Sequence, residues 1–253
     1  MKFKISKEDV PFLGLLSLFV VFATYGVFSF SSGIDKYADK IEASVISSDE
    51  IMVVVNDGDE KNESVPESEV VFDGLFNDVA VDHQNSTAIA YFKQMGFVGG
   101  YDDGSFKPDS YVNRAEILAI LAKVLDFDFN GGIYENCFSD VGREWYSTNV
   151  CYAKEKNIVS GYANGKYEPF RFVSRSEALG IAFLAFGFQL PDSVSSSPFA
   201  DVNVKSWEAP IAKFAKDGGI VKGDTFAGST LMTRASFVQS IYDILVFSGG
   251  ITY

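Results

Sequence analysis

Histidine occurs once in these 253 residues, as His83, and cysteine twice. A closed zinc site takes four ligands, so histidine- and cysteine-based metal centres are largely excluded. A Ser-His-Asp device would rest on that single histidine. Positive charge is scarce too. The 21 Lys and Arg stand against 34 Asp and Glu, for a net charge of −13. A basic footprint for phosphate backbones is missing, which argues against a nucleic-acid partner. No G-x-S-x-G, H-E-x-x-H or P-loop run occurs. Asp102, Asp103 and Gly104 lack the alternating acidic ligands and distal Glu of a calcium loop, so they read as a turn, as do Asn164 and Gly165. Carboxylates are plentiful, and composition alone does not exclude a glycosidase-like pair. We expect no enzyme, no metal site and no cofactor. What is abundant is apolar: 47% of residues are hydrophobic and 24 are Phe. That supplies a core for one or two domains.

The chain divides into three parts. Residues 1–33 hold a run without charge at 12–30, long enough to span the hydrocarbon core as a helix. Lys2, Lys4 and Lys7 precede it and place the N-terminus in the cytoplasm by the positive-inside rule. The alternative is a cleaved signal peptide, with Ser29-Phe30-Ser31 as a weak site and a secreted product. Either way the rest of the chain lies outside the cytoplasm. Residues 34–73 form an acidic linker. Between 35 and 73 stand twelve acids and three bases, a composition that self-repels and stays extended, with Ile51–Val55 as a possible short strand.

Residues 74–253 repeat three times, at about 74–130, 135–190 and 196–253. Phe76, Phe138 and Phe199 each open an F-x-D-V turn and read as core residues. Downstream stand Asn113-Arg114-Ala115-Glu116, Ser174-Arg175-Ser176-Glu177 and Thr233-Arg234-Ala235-Ser236. Between these anchors lie Gly/Asp/Asn/Pro loops, shortened in the third unit. Apolar spacing predicts a helix on each side of the loop, the first through Ile89 and Phe92, Val150 and Ala153, or Ile211 and Phe214. Asn113, Ser174 and Thr233 are N-caps, and Glu116 and Glu177 complete capping boxes. Ser236 caps less well, so the third such helix is expected to fray at its start. The fold class is mainly α: three helix-loop-helix repeats packed with pseudo-threefold symmetry around a central helical bundle, plus the N-terminal transmembrane helix.

Arg114, Arg175 and Arg234 each sit in a first helical turn, where a cation opposes the helix dipole. Three repetitions of a locally unfavourable choice demand a partner. An internal salt bridge to Asp78, Asp140 or Asp201 is one; an external carboxylate or phosphate, gripped by the planar fork, is the other.

Together, the F-x-D-V opening, the G-[IF]-V-x-G-Y-x-[DN]-G loop and the [NST]-R-[AS]-E helix start resemble the S-layer homology domain. The resemblance covers about 74–253 and implies a three-pronged helical module. It also implies non-covalent attachment to a cell-wall polysaccharide, often one bearing a pyruvate ketal. By this resemblance Arg114, Arg175 and Arg234 recognise the acidic group in grooves between units. Gly100, Gly161 and Gly223, with Trp145 and Trp207, match positions that shape the groove. The tryptophans also admit a reading as packing residues. His83 stands where the other units have Trp, and reads as a surface residue. The second unit is the most complete. Cys137 and Cys151, both in that unit, are expected to form a disulfide, because the compartment permits oxidation.

The leading expectation is a tether: a membrane helix, a flexible linker and a wall-binding module, with Arg175→Ala weakening wall binding without unfolding. The alternative is an envelope protein-interaction module on the same scaffold that has lost sugar binding.

Overall fold

The computed structural model describes residues 76–130, 132 and 134–250. The expected membrane helix at 12–30 and the linker at 34–73 lie outside the described residues. Among the described residues no helix is long and apolar enough to cross a membrane. They hold six helices, with isolated β-bridges in place of a sheet, so the fold is mainly α. These are α1 (Ser86–Gln94), α2 (Arg114–Val124), α3 (Ser147–Glu155), α4 (Arg175–Ala185), α5 (Ala209–Asp217) and α6 (Arg234–Phe247). Each repeat contributes one pair.

The second helix of each pair starts at its cap. Asn113 Oδ1 accepts the N–H groups of Ala115 and Glu116, and the Glu116 carboxylate accepts the Asn113 N–H at 2.9 Å. Ser174 and Glu177 form the same box. Such a cap contributes about 1 kcal/mol. In the third unit Thr233 Oγ1 still accepts the Ser236 N–H at 3.2 Å, and α6 begins at Arg234 and runs 14 residues. One half of the box is thus kept in the third unit, and the second half, a Glu at 236, is missing.

The F-x-D-V turns anchor the loops. Phe76, Phe138 and Phe199 stack on Phe106, Tyr167 and Phe226 at centroid distances of 5.2, 5.4 and 5.6 Å. Lys93, Lys154 and Lys216 hold their Nζ atoms 4.5, 4.2 and 4.8 Å above the same three phenyl rings. Each turn aspartate accepts two successive backbone N–H groups. Asp78 takes those of Phe106 and Lys107, Asp140 those of Tyr167 and Glu168, and Asp201 those of Phe226 and Ala227. The second residue of each pair stands at positive φ: 58° at Lys107, 59° at Glu168 and 50° at Ala227. A side chain there costs on the order of 1–3 kcal/mol. Charge-assisted bonds to the aspartate offset that strain.

These bonds set a pH dependence. Hydrogen bonds from the Phe226 and Ala227 amides hold the Asp201 carboxyl below its ordinary 3.8. The stability it contributes is present above the unfolded pKa and is lost as pH falls through the lowered folded value. Urea midpoints should therefore be steady above about pH 5 and fall on further acidification, since ordinary carboxyls titrate near pH 4. Asp201→Asn should shallow that acid limb. An acid limb of the same steepness in the variant would contradict the assignment.

The helix pairs interlock rather than stand alone. α1 lies on α6, α3 on α2 and α5 on α4, while α4 also meets α2 and α6. Each first helix thus lies on the second helix of the preceding unit, and the first unit closes the ring on the third. Three backbone bonds complete the same cycle. Val173 N–H donates to Val112 O at 3.1 Å, Val112 N–H to Met232 O at 3.0 Å, and Met232 N–H to Val173 O at 2.9 Å. All three side chains are buried. Cys137 and Cys151 are joined in a disulfide, with Cα atoms 5.4 Å apart.

Candidate functional site: clefts between the repeats

The arginines that open α2, α4 and α6 reach into the next unit and end on backbone carbonyls. Arg114 is 5% exposed. Its Nε donates to Tyr167 O at 2.9 Å and its Nη2 to Ser160 O at 3.2 Å. Its guanidinium lies over the rings of Tyr167 and Tyr162, at 4.3 and 5.0 Å. Arg234 repeats this on the first unit, with Nε to Phe106 O at 3.0 Å and Nη2 to Gly99 O at 3.1 Å. Arg175 donates to Phe226 O through Nη1 at 2.6 Å, and burial lowers its pKa.

The internal salt bridges to Asp78, Asp140 and Asp201 considered above give way to this arrangement. The aspartates are occupied by loop amides, and loop carbonyls take the guanidinium groups. The same loops serve the helix starts. Arg114 and Ala115 donate their N–H groups to Arg171 O and Pro169 O; Arg175 and Ser176 to Thr230 O and Gly228 O; Arg234 and Ala235 to Ser110 O and Pro108 O. Carbonyl oxygens supply the negative charge that a helix N-terminus and an adjacent cation both favour.

Two clefts open between the units. The first, about 140 Å³, is lined by Trp145, Arg234, Glu116, Lys123 and Gly99 among others. It joins Trp145 of the second unit and Arg234 of the third against α2 of the first. The second cleft, about 460 Å³, is lined by Trp207, Arg171, Ser176, Glu177, Glu208 and Gly228, with further loop residues. Trp145 and Trp207 are 61% and 64% exposed, so neither is a packing residue. Arg114 and Arg175 line neither cleft.

Gly100 and Gly161 act beneath the surface. A Cβ on Gly161 would stand 2.5 Å from the Phe138 ring and 2.7 Å from Lys166 O; on Gly100 it would meet Phe76 at 2.7 Å. These glycines let the loop lie on the turn phenylalanine. Gly223 differs, with φ of +88° and open space around it, because the third loop is shorter. The interface of α1 with α6 has no tryptophan. There half-buried His83 accepts the Asn85 N–H through Nδ1, Asn85 Nδ2 donates to Gln239 Oε1, and Gln239 Nε2 donates to Asp243 Oδ1.

Glu208, Arg171 and Gly228 were not singled out from sequence. A signal existed for the last. Gly228 stands where the other units have Pro108 and Pro169, whose carbonyls make the equivalent bonds.

Residues 75–118 and 138–179 match the S-layer homology domain. These two segments carry the likeness to that domain, one in each of the first two repeats. It is 26% identical over 171 residues to the S-layer protein sap of Bacillus anthracis, covering 66% of this chain and 20% of that protein. It is 28% identical over 189 residues to an amylopullulanase of Thermoanaerobacterium thermosulfurigenes, covering 71% of this chain and 10% of the enzyme. Over 90 residues it is 32% identical to a cellulosome-anchoring protein of Acetivibrio thermocellus, covering 34% and 20% of the two chains. The chain thus spans a fifth or less of these relatives.

Proposed function

We propose that this is a non-catalytic cell-envelope protein whose repeats bind a cell-wall polysaccharide non-covalently. Anchored by residues 12–30, it would tether membrane to wall or surface layer. The observation that carries the reading is the first cleft, which Arg234 and the exposed Trp145 line together from different units. An indole face stacks on the C–H face of a pyranose, and a cation beside it suits an acidic substituent such as a pyruvate ketal. The match of two repeats to the S-layer homology domain supports a wall ligand, as does the similarity to S-layer and cellulosome-anchoring proteins. Residues 74–253 carry a net charge of −5, so binding to an anionic polymer draws on this local site and not on long-range steering.

Trp145→Ala in the full-length chain should weaken retention on isolated wall at least tenfold, a loss of about 1.4 kcal/mol. The thermal midpoint should stay where it was, because the side chain is solvent-facing. Unchanged retention would count against the cleft.

The polar chain of His83, Asn85, Gln239 and Asp243 between α1 and α6, an interface without a tryptophan, favours a second reading, in which this third interface meets an envelope protein. Retention on an envelope protein and not on polymer would bring that reading forward.

A further inference from the structure

We propose that the second cleft is a subsite of opposite charge preference, taking a sugar that carries a free ammonium group. This rests on the polysaccharide-binding reading above and specifies the ligand of one of its clefts. Three charged residues line the cleft: Arg171, Glu177 and Glu208. Arg171 is spent on Glu177, which it meets with both terminal nitrogens, and on Glu168 at 3.6 Å. Glu208 has no such cation among the described residues; its Oε2 accepts the hydroxyl of Ser176, which is buried. The cleft therefore retains one uncompensated carboxylate beside an exposed indole, that of Trp207. A carboxylate and an aromatic face together form a site for an ammonium ion on an apolar ring. An acidic substituent would meet like charge there.

The carboxylate is placed by construction. Glu208 is the residue that starts α5, yet its side chain makes no capping bond and turns to the neighbouring unit instead. The room for it comes from Gly228. A Cβ there would lie 2.2 Å from Glu208 Oε2, so the proline that the other units carry would expel the carboxylate. Glycine at 228 and glutamate at 208 are thus one coupled departure from the repeat.

The test is titration of the full-length chain with a glucosamine oligosaccharide and with its N-acetylated counterpart, at a pH where the amine is protonated, followed by tryptophan fluorescence. The free amine should bind at least tenfold more tightly. Glu208→Gln should abolish that preference, Trp207→Ala should remove binding of the amine, and Trp145→Ala should leave it. Trp207 is exposed, so its variant keeps the comparison valid if Glu208→Gln unfolds. Equal affinity for the two oligosaccharides, no binding of either, or a preference that survives both variants would overturn the proposal. If wall retention persists while the amine does not bind, this inference alone fails; if both are lost, the wall-binding reading fails with it.

Discussion

Arg114→Ala is expected to lower the unfolding free energy by about 4 kcal/mol, since hydrogen bonds from a charged donor contribute roughly 1.5–3 kcal/mol each. Arg114 makes two, to Tyr167 O and Ser160 O, and does so almost out of reach of water. Removing it leaves the buried Tyr167 carbonyl without this donor and opens a gap between two tyrosine rings. Arg114→Lys should recover less than half, because an ammonium cannot reproduce the planar fork between those rings. Arg175→Ala should cost much less, as that side chain is half-buried and donates one bond to Phe226 O. Urea unfolding of the three variants makes the comparison. Equal small losses below about 1 kcal/mol at both positions would contradict a role for Arg114 as the tie between first and second units, given what even one such bond contributes.

Loss of the disulfide should have the next largest effect. Cys137 precedes the F-x-D-V turn of the second unit and Cys151 lies buried in α3, fourteen residues on. Closing a loop of that size removes unfolded-state entropy equivalent to roughly 3 kcal/mol. The bond spans the segment that holds Phe138, Asp140 and the exposed Trp145, so reduction should loosen that cleft lip before the rest. Protein taken from cells should have the mass of the oxidised form. Reduction, or Cys137→Ser with Cys151→Ser, should lower the urea midpoint accordingly. Two free thiols in the isolated protein, or a midpoint insensitive to reductant, would contradict this.

The repeat was legible because its anchors have fixed chemistry. Caps at 113, 174 and 233 fixed the second helices to the residue. Of the turn phenylalanines expected in the core, Phe76 and Phe199 are buried, whereas Phe138 is only half-buried. The cysteine pair was legible as well, since both residues fall in one unit and the expected compartment permits oxidation. The arginine partners were not. An aspartate shows in a sequence as a candidate for an arginine, whereas a carbonyl is present at every residue and marks no position. Tyr167 O and Phe106 O become partners only once the units interlock. The ring itself explains why Trp145 and Arg234 share a cleft although 89 positions separate their numbers: the third unit closes on the first, and the second lies against α2. Glu208 escaped for a related reason. At a helix start it reads as a capping or first-turn acid, and only the missing ring at Gly228 turns it toward Ser176.

Co-sedimentation of the full-length chain with native wall sacculi, and with sacculi stripped of their secondary polymer, tests the central claim most directly. Binding to native sacculi that is lost on stripping, and weakened by Trp145→Ala, is the predicted result. Equal binding to both preparations, or to neither, would contradict attachment through a wall polysaccharide.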